Sequence, residues 1–183
     1  MQPEGWPGHI WLEGRTSVHL KEHQTRPSHM PRGPAAKTGE GFLNPAMAPA
    51  RTRSVMLLAD ALENHWLVPE GKDVRILDAL CATGVRPRRR RKEVPEQSRL
   101  RITANDLDSD ALQWGQRSHE THPIGDGITW TPEPSRFEAK PEDSVEDGIQ
   151  WTNGDAKKLM TEAPFQWIDL DPFGSPVSFL DSA

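Results

Sequence analysis

Apolar positions in this chain fall into short runs separated by acidic, glycine-rich and proline-rich stretches, and their spacing divides the sequence into elements. From Ser54 to Trp66, the residues Val55, Leu58, Ala59, Leu62 and Trp66 recur at helical intervals, with Thr52 or Ser54 available as an N-terminal cap. Pro69 and Gly71 close that helix. The run Val74 to Leu80 then suits a buried strand, which stops at the small-residue turn Cys81-Ala82-Thr83-Gly84. Leu100 to Asn105 predicts a second strand, finishing at Asp106. A helix follows from Ser109, with Asp110 in its first turn, where the helix dipole favours an acid. Ile149 to Asn153 is a third strand, with Asp155 just beyond it and a short helix over 156–160. Phe165 to Leu170 is a fourth and runs into Asp171-Pro172-Phe173-Gly174. Residues 123–148 carry no usable period and read as a long surface loop. The first forty residues are rich in proline, histidine, glycine and charge; they read as an irregular arm with one strand, where Arg15 to Leu20 briefly alternate. No internal repeat is visible. Strands alternating with helices predict an α/β fold whose parallel sheet binds ligands at the carboxyl ends of its strands.

Composition changes this picture modestly. A chain of 183 residues fits one domain. Its low hydrophobic content, 34%, together with 17 prolines and 14 glycines, predicts a thin core and much loop. The net charge of −5 does not mark a nucleic-acid binder, yet it excludes none, because phosphate needs a positive face rather than a positive total. One cysteine, Cys81, excludes an intramolecular disulfide and a cysteine-rich zinc site, and suits the cytoplasm. There is no basic-then-apolar leader, and the longest apolar-rich stretch, Val55 to Leu62, is too short to span a bilayer, so no membrane association is expected. His19, His23 and His29 are loosely spaced like metal ligands but lack acidic or thiol partners in pattern; they are expected to be exposed loop histidines, with no metal bound.

The candidate chemistry lies at the strand ends. Asp78, Asp106, Asp155 and Asp171 each close or follow a predicted strand, and parallel topology would line them along one edge. A Gly-x-Gly-x-x-Gly turn is missing, since only Gly84 is offered, so a pyrophosphate-bearing dinucleotide fits poorly. A ligand without phosphate fits better, and S-adenosylmethionine is one: Asp106 could accept from both ribose hydroxyls and Asp155 from the adenine amino group. Asp171 and the carbonyl beside Pro172 could hold the protons of an exocyclic base amine, while Phe173 offers a stacking platform. The plainer alternative for each aspartate is that it starts a turn or caps the next helix. The side chains of Asp106, Asp155 and Asp171 are expected to converge on a common cavity.

The segments Gly41-Phe42-Leu43-Asn44-Pro45-Ala46-Met47, Asp78-Ala79-Leu80-Cys81-Ala82-Thr83-Gly84-Val85-Arg86, Asn105-Asp106 and Ile168 to Pro176 resemble, in the same order, the tRNA (guanine-26, N2)-dimethyltransferase family. The resemblance runs from about Glu13-Gly14 to the last residue and covers the amino-terminal part of that family's catalytic domain. It implies a Rossmann-like class I methyltransferase fold with an incomplete parallel sheet of about four strands. Residues 1–50 would form an arm on the substrate side, and 51–183 part of the S-adenosylmethionine-binding domain. It further implies that Arg51, Asp78, Arg86, Asp106, Asp155 and Ala156 hold the cofactor and that Asp171 is the catalytic carboxylate. Phe42 and Phe173 would flank the guanine, with Asn44 and Pro172 beside them. The substrate would be a guanine N2 in tRNA, turned out of its stack.

The chain departs from the family pattern in three places. Ala50-Arg51-Thr52 stands where the family has Asn-Arg-Asp. Val85 to Lys92 is basic where the family has a helix with an apolar face; this helix is expected to pack badly, its arginines either contacting tRNA phosphates or lying solvated and frayed. The chain also stops at Ala183, where the family continues, so a truncated fragment is expected, inactive alone and with its last strand unpaired. Two other readings stay open: an amino-methyltransferase acting on adenine N6 or cytosine N4, and a non-catalytic remnant that only binds cofactor or RNA. Whether one or two methyl groups are added, the tRNA position and the oligomeric state are not decided by the residues.

Overall fold

Two sheets organise the computed structural model, which describes residues 3–21, 43–121, 149–172 and 175–183. The first is an antiparallel hairpin, β1 (His9–Glu13) and β2 (Thr16–Leu20), turned through Gly14 at φ 56°. The second contains β3 (Val74–Asp78), β4 (Leu100–Asp106), β5 (Ile149–Asn153) and β6 (Trp167–Asp169), all parallel, in the order β5-β4-β3-β6. The helices are α1 (Ala48–Glu63), α2 (Val85–Glu93), α3 (Ser109–Thr121), α4 (Ala156–Glu162) and the short α5 (Val177–Leu180).

The central strands are buried on both faces: β4 alternates Leu100, Ile102 and Ala104 with Arg101, Thr103 and Asn105, and Thr103 and Asn105 are buried as well. One core layer joins Val55, Leu58 and Leu62 of α1 to Val74, Ile76, Leu100, Ile102, Leu112 and Trp151. The other seats Leu77 and Ala79 on Ala156, Leu159 and Met160 of α4. Burying a Leu or Ile side chain contributes about 1.5–3 kcal/mol, so these two layers hold the sheet despite the low apolar content.

Local differences from the sequence reading have local causes. Helix α1 begins earlier than Ser54, because Pro49 fits a first turn and a one-turn 3-10 segment, Pro45–Met47, leads into it under an Asn44 cap. It ends at Glu63, and Trp66, expected on the buried stripe, is exposed beyond a left-handed His65. The sheet residues of β3 and β6 stop at Asp78 and Asp169, shorter than the apolar runs around them. The arm contains a full hairpin rather than one strand; Val18 and Leu20 pack with Leu43 and Val85, and β2 lies on α2 and α3. His19 is correspondingly buried, stacked on Trp6 at 4.3 Å, with Nδ1 2.8 Å from the Pro7 carbonyl oxygen. The expected exposure of that histidine is therefore wrong; His23, His29 and the whole 123–148 loop lie outside the described residues.

Helix α2 is the largest departure. It was expected to fray, yet Arg86, Arg88, Arg89 and Arg90 are all buried. They are neither solvated nor presented to phosphate. Carboxylates from distant segments neutralise most of them, and the helix packs through charge pairs where an apolar stripe is missing.

Candidate active site at the carboxyl edge of the sheet

Register places the acids. Asp78, the last residue of β3, is level with Asp169 on β6 and Ala104 on β4. Asp106 ends β4 level with Asn153, and Asp155 follows two residues later. Adjacent parallel strands lie about 4.8 Å apart, so these ends form one continuous rim.

Two devices fix the rim. The fully buried Asn105 donates from Nδ2 to the carbonyls of Ala79 and Gly154, both at 3.0 Å, and accepts from Thr152 Oγ1 at 3.0 Å. It thereby ties the loops after β3 and β5 to β4. The turn Cys81–Gly84 spends three of its four N–H groups on the protein: Cys81 on the Asn105 carbonyl, Ala82 on Asp106 Oδ2 at 2.7 Å, and Gly84 on the Cys81 carbonyl. Gly84 adopts φ 70°, and a Cβ there would lie 2.7 Å from Trp151 Cζ3, so only glycine fits.

Behind the rim lies a buried ion network. Arg86 Nη2 donates to Asp171 Oδ2, and its Nη1 lies 3.0 Å from Asp169 Oδ1 and 3.7 Å from Asp78 Oδ1. Arg90 Nη2 donates to Asp169 Oδ2 and to Ser54 Oγ, while its Nη1 stands 3.9 Å from Asp78 Oδ2. Asp78 has no hydrogen bond to either oxygen, and burial pushes its carboxyl up to about 6, with Asp169 and Asp106 adding to the effect against Arg86 and Arg90. Burial works against the charge on Arg86 too, but Asp78, Asp169 and Asp171 outweigh it and hold the guanidinium protonated. Burial thus disfavours the charge on Asp78, which has no hydrogen bond to either oxygen, and lowers Arg90 as well against the pull of Asp169 and Asp78. A second network joins the hairpin: Glu13 binds Arg51 Nε at 2.7 Å and Arg89 Nη1 at 3.1 Å, and Arg89 also grips Glu93.

The predicted site residues thus occupy distinct settings. Asp78, Arg86 and Asp171 are brought into one ion network. Asp106 is partly exposed and accepts from Ala82 N and, at 2.9 Å, from Asp108 N. Asp155 is exposed and caps α4 by accepting from Lys157 N at 2.8 Å, while Ala156 behind it is buried. Arg51 is buried against Glu13 and the Asn44 carbonyl, and Asn44 itself is exposed. Pro172 is partly buried beside Asp171; Phe42 and Phe173 lie outside the described residues. Sequence reasoning missed Asn105, Asp169, Arg90 and Glu13. A signal existed for Asp169, since a carboxylate inside an apolar strand needs a partner. Among the described residues no group of three potential ligands could hold a metal, and no helix is long and apolar enough to cross a membrane.

Residues 14–183 match the family described as N2,N2-dimethylguanosine tRNA methyltransferase. This chain belongs to that family. The tRNA (guanine(26)-N(2))-dimethyltransferase of Pyrococcus furiosus is 36% identical over 155 residues, which are 82% of this chain and 35% of that protein. The mouse tRNA (guanine(27)-N(2))-dimethyltransferase is 29% identical over 164 residues, 90% of this chain and 21% of that one. A solved structure of Trm1 from Pyrococcus horikoshii in complex with S-adenosyl-L-methionine superposes with a TM-score of 0.61 at 26% identity, covering 95% of this chain and 38% of that chain. The chain therefore spans about a third or less of the length of these dimethyltransferases. Its parallel four-stranded sheet with helices on both faces is the class I methyltransferase fold, in agreement with the α/β pattern of the sequence.

Proposed function

We propose that the carboxyl edge of β3 to β6 binds S-adenosylmethionine and presents Asp171 to the exocyclic N2 of a guanine in tRNA. The observation that carries this reading is the Asp171–Arg86 pair two residues beyond β6, in a chain whose family match covers residues 14–183. The rim suits such a cofactor. Its turn has spent most of its N–H groups internally, so it offers little to a pyrophosphate. Three carboxylates, Asp78, Asp169 and Asp171, face two guanidinium groups, leaving acid in excess for a cationic ligand. Asp106 and Asp155 would hold the nucleoside, since each carboxylate accepts several hydrogen bonds and both are reachable by solvent. Ala156 would line the adenine side, and Arg51 would join only by loosening its pair with Glu13.

When bound, S-adenosylmethionine supplies an electrophilic methyl group. The residues of this chain act on the amine. Arg86 occupies Oδ2 of Asp171, and Oδ1 makes no hydrogen bond among the described residues. That oxygen would accept from the guanine amino group, orient its lone pair and receive the proton it releases. Pro172 and Phe173 would then contact the base, and Phe42 and Asn44 its other side.

Calorimetric titration with S-adenosylmethionine, on this chain and on Asp106→Ala, tests the binding half. Saturable binding weakened by the substitution is the expected result, and no saturable binding in the parent would sink the proposal. Transfer of labelled methyl to tRNA transcripts with guanine 26 or guanine 27 replaced tests the substrate half; the family includes relatives named for each position. Label on adenine or cytosine would favour an alternative amino-methyltransferase.

A further inference from the structure

Asp171 lies beyond the last paired residue of β6, and its side chain is 39% exposed, so no sheet ladder holds it. What holds it is Arg86. The two terminal nitrogens of that guanidinium reach different acids of the Asp169-Leu170-Asp171 segment, Nη1 to Asp169 and Nη2 to Asp171. Residues two apart on an extended chain share a face, so one planar group can clip both. Asp169 in turn divides its oxygens: Oδ1 faces Arg86, and Oδ2 accepts from Arg90 and, at 3.0 Å, from Ser54. Arg90 is fully buried, and Ser54 sits on α1, so this side of the network is anchored in the core.

We propose that Asp169, backed by Arg90 and Ser54, is a positioning residue that fixes the Arg86 guanidinium and, through it, the orientation of the Asp171 carboxylate. This rests on the reading of Asp171 given above, and it assigns roles to three residues outside the expected site. Without the Asp169 charge, Arg86 keeps only Asp171 and the more distant Asp78, 3.7 Å away, so its guanidinium can turn about its stem. The carboxylate then loses its set direction while its chemistry is unchanged, which separates positioning from binding.

The test uses the full chain, Asp169→Asn, the milder Ser54→Ala, and Leu100→Ala as a core control at the opposite end of the sheet. The first measurement is the through-hydrogen-bond coupling between the Arg86 Nη–H and Asp171 Cγ by NMR, without cofactor. It is expected in the parent and in Leu100→Ala, weakened in Ser54→Ala, and lost in Asp169→Asn. The second is tRNA methylation: kcat should fall on the order of 10- to 100-fold in Asp169→Asn, as misplacement of a reacting group does, with the tRNA KM and the S-adenosylmethionine Kd within about threefold. Coupling that survives in Asp169→Asn, or a kcat loss no larger than that of Leu100→Ala at equal folded fraction, would overturn the proposal. If Asp169→Asn does not fold, Ser54→Ala decides, and an unchanged coupling there counts against it. A parent chain that fails to bind cofactor or methylate tRNA defeats the proposed function alone, because the coupling measurement still decides whether Asp169 fixes the clip.

Discussion

Gly84→Ala is expected to destabilise the fold by about 2–5 kcal/mol, and the structure allows that figure to be divided. Gly84 sits at φ 70°, where a side chain costs roughly 1–2 kcal/mol. Its added methyl would also meet the Trp151 ring, 2.7 Å from Cζ3, and forcing a methyl into a packed site costs about 1–3 kcal/mol. Trp151 cannot easily retreat, since a Cβ on Gly115 would lie 3.0 Å from the same carbon and the ring is buried. Gly71 provides the comparison, with φ 74° and open space around its Cβ position. Gly71→Ala carries only the conformational cost, about 1–2 kcal/mol, partly offset by a stiffer unfolded chain. For a chain of this size, each kcal/mol lowers Tm by roughly 2–4 °C, so thermal unfolding followed by circular dichroism should place Gly84→Ala well below Gly71→Ala. A double variant with Trp151→Leu should recover about 1–3 kcal/mol through coupling between the neighbours. Equal losses at Gly84 and Gly71, or no coupling to Trp151, would refute the steric argument.

Glu13→Gln should cost about 3 kcal/mol in urea denaturation, because it leaves the buried Arg51 without a counter-charge and Arg89 with Glu93 alone. Glu13 and Glu93 have carboxyls held below the usual value: burial opposes the charge but their arginines outweigh it, so their stabilisation is complete above about pH 4.5 and is lost as pH falls through their lower folded values. Asp78 works in the opposite sense. Its folded value near 6 lies above the ordinary 3.8, so stability from this group is present below pH 3.8 and is lost as pH rises through 6; Asp78→Asn should flatten that slope, worth at most about 3 kcal/mol, in denaturation curves from pH 4 to 7. Asn105→Ala removes three buried hydrogen bonds and should cost about 2–4 kcal/mol by urea denaturation.

Most of the sheet was legible because β3, β4 and β5 each set apolar residues in a short stretch followed by an acid and a turn, a pattern local enough to read from spacing alone. The hairpin was half legible: Thr16 to Leu20 alternate, whereas β1 carries exposed Ile10 and Leu12 and no clear period. Asp155 caps α4, as the plainer alternative expected, at a position just beyond the carboxyl end of β5. What spacing could not reveal was the interior of α2. A row of arginines looks solvated when considered alone, and only the fold brings Glu13, Asp78, Asp169 and Asp171 against it. Asp169 signalled only that it needed a partner; which partner, a guanidinium 79 positions away, is set by the fold.

The arginines of α2 also bear on how such a sequence can drift. A leucine stripe tolerates exchange for another oily residue one position at a time. Here Arg89 answers Glu13 across 76 positions, and Arg86 answers Asp171 across 85, so a single replacement unbalances a network whose other members are encoded far away. A change on one side is best balanced by a change on the other, which couples the helix to the hairpin.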